Sequence, residues 1–240
     1  MSKLGIIAAL PAEANCLTNQ KLNVGSPVKI QEDIYLCLSG MGYDSAQRCS
    51  QQLIECGVDA LISWGLAGSI DMTLKSGDLL LAGRVIGNEQ SWSTHPDWLN
   101  KLQMECQQPS FSTISGDIAS VNDICANITD KKNLSLKSSA VAVDMESAAI
   151  AELASTNDID FLVVRTIADD ANTSIPQAVL KHTDLLGKPD PIPFFLSCLK
   201  NPGQIKDLIK LAKCYKQALK TLKHIAPDLK KQHFLYTTSQ

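Results

Sequence analysis

Leu4-Gly5-Ile6-Ile7-Ala8-Ala9-Leu10-Pro11-Ala12-Glu13 is the stretch on which the fold turns. From Leu4 to Leu10 the run is apolar without interruption, as a strand covered on both faces requires; a strand with one face in water alternates instead. Its ending is equally informative. Pro11 carries a φ suited to a helix and lacks the N–H that a first helical turn leaves unpaired, so it can open a helix with Glu13 in the first turn. A buried strand that passes directly into a helix is the unit of an α/β sheet, and such sheets place their ligands at strand ends.

The same pattern recurs along the chain. Strand-length apolar runs stand at Ile34 to Leu38, Ala60 to Trp64, Asp78 to Val85, Ala140 to Val143 and Phe161 to Ala168. Helix-length segments lie between them near 44–57, 96–106, 122–131 and 145–157. This alternation predicts an α/β fold, a three-layer α/β/α arrangement around a central mixed sheet. The short connections beside 34–38 and Leu79-Leu80-Leu81 predict antiparallel neighbours there. A length of 240 residues, 45% hydrophobic and 20% charged, suits one domain over 1–240.

Twenty-two basic residues against 25 acidic ones leave a net charge of -3, which offers no field for holding a polyanion and argues against nucleic acid as a partner. The eight cysteines occur singly, with no CxxC pair and no Cys/His cluster at metal-ligand spacing. They read as small buried hydrophobes in a reducing cytoplasm, and no metal is expected. The Leu4 to Leu10 run is too short for a secretory leader, and no stretch reaches the ~18 to 20 apolar residues that span a bilayer.

The tail differs. Residues 184–226 form a C-terminal extension in which Ile205, Leu208, Ile209, Ala212, Tyr215, Leu219 and Leu222 recur at helical spacing, interleaved with Lys206, Lys210, Lys213, Lys216, Lys220 and Lys223. This basic amphipathic helix either packs on the sheet with its lysines in water or rests on an anionic membrane surface. Before it, the proline-rich segment carrying Ile192, Phe194, Phe195 and Leu196 reads as packing against the core or another subunit, or as a wall of a substrate site.

Three carboxylates stand where a strand gives way to a loop or helix. Glu13 alone could be simple complementation of a helix dipole. Asp144-Met145-Glu146-Ser147 opens an alanine-rich helix, with Asp144 suited to its N-cap and Glu146 to its first turn. Kept ionised there, Glu146 could accept two hydrogen bonds from a vicinal diol such as that of a ribose. Asp169 closes the Phe161 to Ala168 run. Arg165, four residues earlier, falls on the same face if the strand continues. An apolar setting would raise the Asp169 pKa and a close arginine would lower it.

Taken in order, these segments resemble the nucleoside phosphorylase/nucleosidase superfamily, and within it the methylthioadenosine/S-adenosylhomocysteine nucleosidases. The resemblance covers roughly residues 4–170. It is carried by the opening Gly5 to Glu13, Ser39-Gly40-Met41-Gly42, Gly65-Leu66-Ala67-Gly68, Leu74-Lys75-Ser76-Gly77-Asp78, Ser115-Gly116-Asp117, Val143-Asp144-Met145-Glu146-Ser147 and Val163 to Asp169. The tail, with Gly187-Lys188-Pro189 and Asn201-Pro202-Gly203-Gln204, resembles the hopanoid-associated phosphorylase branch.

The resemblance implies cleavage of the N-glycosidic bond of a purine nucleoside, with an adenine base and an apolar, even lipid-linked, 5′ group. It implies that Asp169 protonates the leaving base, Glu13 activates water and Glu146 holds the ribose diol. Met145 would lie beneath the sugar, Arg165 would orient a carboxylate, and Ser39, Gly40, Gly68, Ser115, Asp117 and Ile118 would contact substrate. It further implies a cytoplasmic homodimer or larger homo-oligomer that needs no cofactor, with phosphate as the alternative co-substrate. Three positions depart from the superfamily pattern. Leu66 replaces a serine that commonly binds phosphate or water, Ala168 replaces the serine before the acid, and Ile118-Ala119-Ser120 lacks an aromatic residue for the base. Leu66 weighs toward hydrolysis over phosphorolysis. The three departures together would also suit a nucleoside-binding protein without turnover.

Overall fold

In the computed structural model the described residues are 3–176, 179–180, 184–188, 190 and 204–237, with side-chain surroundings in the final helix given for 205–230. Among them the expected α/β architecture is found. The first half runs β1 (Leu4–Ala8), α1 (Pro11–Ala14), β2 (Val28–Gln31), β3 (Ile34–Leu38), α2 (Tyr43–Glu55) and β4 (Ala60–Ser69). Then come β5 (Leu79–Ile86), β6 (Ser91–Ser93), α3 (Pro96–Glu105), β7 (Thr113–Ser120), α4 (Ile128–Ser138), β8 (Ala142–Asp144), α5 (Ser147–Thr156) and β9 (Asp160–Asp169), and α6 (Gln204–Thr237) closes the chain.

The sheet is mixed, in the order β2-β3-β1-β4-β8-β7-β5-β6, with β9 paired to both β4 and β5. The β4-β8-β7-β5-β9 circuit therefore closes on itself. Successive strand residues point to opposite layers. Ile6, Leu36, Ile62 and Trp64 pack with Trp98 of α3 and Leu222, Ile225 and Leu229 of α6. Ile7, Leu61 and Val163 pack with Leu53 of α2 and Ile150 of α5. The unbroken apolar runs are thus what covering both faces demands.

The antiparallel neighbours expected beside 34–38 and Leu79 to Leu81 are found, β3 pairing with β2 and β5 with β6 across short connections, while β3 pairs with β1 in parallel on its other side. Leu79 to Leu81 is antiparallel to β9, far away in sequence, and parallel to β7. The helix expected over 122–131 is instead α4 at Ile128–Ser138, because the Asn127 side chain caps it by accepting the Asp130 amide at 2.8 Å. Gly65 to Gly68 lies beyond the Ala60 to Trp64 run but still within β4, which pairs with β9 in parallel up to a bulge that sets Gly68 against Asp169. β7, β2 and β6 were not anticipated.

The cysteine reading also changes. Cys37 of β3 and Cys49 of α2 are joined as a disulfide, their Cα atoms 5.9 Å apart and within bridging range. Of the others, Cys106 is buried, Cys16, Cys125 and Cys214 are half-buried and Cys56 is exposed; Cys198 lies outside the described residues.

The tail helix packs on the sheet through its second half, where Ala218, Thr221, Leu222, Ile225, Ala226 and Leu229 are buried. Its first turns stand in solvent, with Ile205 and Ile209 exposed among the lysines. The Ile192 to Leu196 segment lies outside the described residues. No described helix is long and apolar enough to cross a membrane.

Candidate active site

Arg165 organises the site. It lies at the middle of β9, 1% exposed, opposite Gly65 of β4. A guanidinium so deeply buried must be neutralised and hydrogen-bonded. One Nη contacts Asp144 Oδ2 at 2.7 Å and Glu146 Oε2 at 3.5 Å, and donates to Ser63 Oγ at 2.8 Å. The other donates to the Leu66 carbonyl at 3.3 Å. Arg165 does not pair with Asp169, and the carboxylates that it orients are Asp144 and Glu146.

Glu13 arrives from α1. Pro11 opens that helix as expected, and the Glu13 carboxyl accepts amides from two elements, Leu10 N to Oε2 and Leu66 N to Oε1, each at 2.8 Å. Gly65 makes this convergence possible. A Cβ on it would lie 2.5 Å from an Arg165 Nη and 2.6 Å from Glu13 Oε1. We expect Gly65→Ala to displace one or both groups, costing about 1 to 3 kcal/mol in overpacking and lowering turnover roughly 10²-fold. Melting and turnover rates measured together check this, and an alanine variant with wild-type rates would refute it.

Glu146 sits at the N-cap of α5, not in its first turn as expected, while Asp144 receives the Ser147 amide at 3.2 Å and the Ser147 hydroxyl. Gly42 N donates to Glu146 Oε1 at 2.9 Å, so the Ser39-Gly40-Met41-Gly42 loop meets this carboxylate through its backbone. Gly40 and Gly42 have φ of 79° and 96°, which glycine adopts freely. Burial raises the Glu146 pKa to about 7, with Asp144 adding to the shift and Arg165 opposing it. Burial likewise raises Glu13 against the pull of Arg165 and its amide donors.

Asp169 lies beside Gly68, where an added Cβ would stand 3.2 Å from Oδ1. Its cation is Lys131 of α4, 1% exposed, whose ammonium donates to Asp169 Oδ2, to the Asp170 carbonyl at 2.9 Å and to the Thr173 carbonyl at 3.1 Å. Burial outweighs this neighbour and holds the Asp169 pKa above the usual carboxylate range. From Gly65 to Gly68, β4 thus runs under both ends of the site, ~10 Å of strand separating the Glu13/Arg165 end from Asp169.

The remaining candidates divide. Ser39 is buried behind its loop, with Oγ donating to the Gly40 carbonyl at 2.7 Å, and Met145 is half-buried between Asp144 and Glu146. Ser115 and Asp117 are not brought to the carboxylates. Ser115 Oγ bonds Gln103 and Asp117 pairs with Arg84 at 2.5 Å, both on the outer stretch of β7, while Ile118 is core. From β7 the residue that reaches the site's edge is Ser120, whose Oγ accepts the Ala148 amide at 3.1 Å. A cleft of about 300 Å³ lined by Tyr43, Trp92, Ser120, Ala148 and Glu152 adjoins there, lined by none of the three carboxylates.

Sequence reasoning missed Lys131, Ser63 and the Gly42 amide. Nothing flags Lys131: in Asp130-Lys131-Lys132 it reads as one more solvated charge. No group of side chains suited to a metal occurs among the described residues.

Buried acids on neighbouring strand ends, one set clamped by an arginine and one backed by a lysine, define an α/β enzyme built for acid–base chemistry. The chain belongs to the phosphorylase superfamily, whose family model matches residues 3–185. It is 26% identical over 199 residues to the 5′-methylthioadenosine/S-adenosylhomocysteine nucleosidase of Staphylococcus epidermidis, covering 70% of this chain and 87% of that one. In fold it is similar to the Helicobacter pylori 5′-methylthioadenosine/S-adenosylhomocysteine nucleosidase bound to butyl-thio-DADMe-Immucillin-A, with a TM-score of 0.69, 19% identity and coverage of 95% and 99% of the two chains. It is also similar to the native futalosine hydrolase of Helicobacter pylori, with a TM-score of 0.66, 20% identity and coverage of 95% and 98%.

Proposed function

We propose that the chain hydrolyses the N-glycosidic bond of an adenine nucleoside that carries an apolar 5′ group. The observation that carries this reading is the convergence of Glu13, Glu146 and Asp169 along Gly65 to Gly68 of β4, each in a setting suited to a different task. Glycosidic cleavage needs a proton for the leaving base, a nucleophile and stabilisation of an oxocarbenium-like sugar. Asp169, held above the usual carboxylate range by burial, gives its proton to purine N7 as the C1′–N9 electrons pass into the base. Glu13, fixed by two backbone amides, takes a proton from the water that attacks C1′. Glu146 accepts the ribose hydroxyls.

Water fits better than phosphate as the nucleophile. A bound phosphate dianion needs free donors or cations. Arg48 lies with Ser45 on α2 and Arg84 is paired with Asp117, while all three Lys131 N–H groups have acceptors. The proposed apolar 5′ group rests on the likeness to the 5′-methylthioadenosine/S-adenosylhomocysteine nucleosidases, and the described part of the 184–188 segment stands beside the Ser39 loop. There Leu185 O accepts the Met41 amide at 2.9 Å, and Leu10 approaches Gly187 beside the Ser39 loop.

The test is to follow free adenine from methylthioadenosine, S-adenosylhomocysteine and a lipid-linked adenosine, with and without phosphate. Release from at least one without phosphate is expected. Absence of release from all three, or binding without product, would overturn the reading, and strict phosphate dependence would replace it with phosphorolysis. A pH profile adds a second check. Because the Glu146 pKa is raised, its accepting, ionised form is lost as pH falls through about 7. We expect kcat/KM to drop about tenfold per unit below that point, against a contradictory plateau down to pH 5.

A further inference from the structure

Lys131 has no task in the chemistry just described, yet it is the one residue of α4 that is fully buried. Its ammonium spends its three N–H groups on Asp169 Oδ2 and the Asp170 and Thr173 carbonyls. Burying an ion pair is seldom the most stable way to fill a core, so a lysine so placed calls for a reason. The reason offered here rests on the glycosidase reading. When Asp169 passes its proton to N7 it becomes an anion inside the protein, and the C1′–N9 electron pair has moved into a base that now carries that proton. A bare buried carboxylate would oppose this step, and a fixed ammonium on Oδ2 favours it.

We propose that Lys131 is a positioning residue for Asp169: it fixes the carboxyl in place and neutralises it once its proton has gone to the leaving base. The other charged or titratable groups around the carboxyl do not replace it. Asp170 follows in the chain, carries the same sign and receives the Ser76 amide. The Cys125 thiol, just before α4, feels both Asp169 and Lys131, together with Asp130. Lys210 of α6 reaches only the Thr173 hydroxyl, at 2.9 Å.

The test compares Lys131→Gln, which can still donate to the two carbonyls but has no charge, with Lys131→Arg, which keeps the charge. In the glutamine variant the alkaline limb of kcat, where Asp169 loses its proton, is expected to move up by about one pH unit or more, with kcat at the optimum reduced about tenfold. The arginine variant keeps the limb in place. A purely structural lysine would lower the rate of the glutamine variant without moving the limb, and that outcome overturns the proposal. If the glutamine variant does not fold, the same coupling is read in a second uncharged variant. Lys131→Met, which keeps the stem but no charge, should move the alkaline limb of kcat up in the same way, and an unmoved limb overturns the proposal. Failure of the unaltered protein to release any base removes the glycosidase reading and this inference together; normal release with an unmoved limb removes the inference alone.

Discussion

Asp169→Asn is expected to lower kcat for base release by roughly 10³-fold, within the range for loss of a general acid, while binding of the nucleoside persists. Asparagine fills the same space beside Gly68 and can still accept a hydrogen bond from Lys131, but it has no carboxyl proton to give. The effect belongs to the rate because the proton is needed only as the glycosidic bond breaks. The exchange also leaves the Lys131 charge without its counter-ion, so melting should be recorded beside the kinetics. A variant within tenfold of the unaltered kcat would place the acid elsewhere.

Arg165→Met should have the largest effect on the protein as a whole. It leaves Asp144 and Glu146 without the guanidinium they both contact, and Glu13 without its nearest cation. Removing one member of a buried charge set costs about 3 to 5 kcal/mol, or a fall in melting temperature of about 10 °C in a chain of this size. The loss should depend on pH. With the cation gone, the Glu13 and Glu146 carboxyls, already raised by burial, rise further. The folded state then binds more protons than the unfolded one between the ordinary carboxylate range and these raised values, so stability falls as pH rises through that window. The variant should be most stable near pH 5 and weakest near pH 8, with base release lost at both. Equal melting at the two pH values would contradict the assignment of Arg165 as the neutralising centre.

How much of this could be read from the amino-acid sequence depends on the residue. β1, β3, β5 and β9, and the start of β4, are visible because a strand covered on both sides has no polar alternation to confuse it. Thr113–Ser120 hides because Ser115, Gly116 and Asp117 break its apolar run, so that a strand paired on both sides, with β5 and β8, looks like a loop. The use of Gly65 and Gly68 is emptiness, which a sequence does not display: each leaves its side-chain space to a charged group from another element. Glu13, Glu146 and Asp169 could be singled out from their positions at strand ends and from a resemblance in their order. Their partners could not be assigned that way. Arg165 is four residues from Asp169 and serves Glu146 instead, while Lys131 comes from a helix whose own pattern gives no sign of it. Pairing across a closed sheet is a property of three dimensions, and spacing along one strand does not contain it.

The central claim is that this carboxylate set directs water onto C1′ of a purine nucleoside. The most direct test is a turnover of methylthioadenosine in ¹⁸O-labelled water, with phosphate absent and then present, with the sugar product analysed by mass. The account predicts one ¹⁸O atom in the free sugar, at the same rate in both conditions. A sugar 1-phosphate without label, formed only when phosphate is supplied, would contradict it.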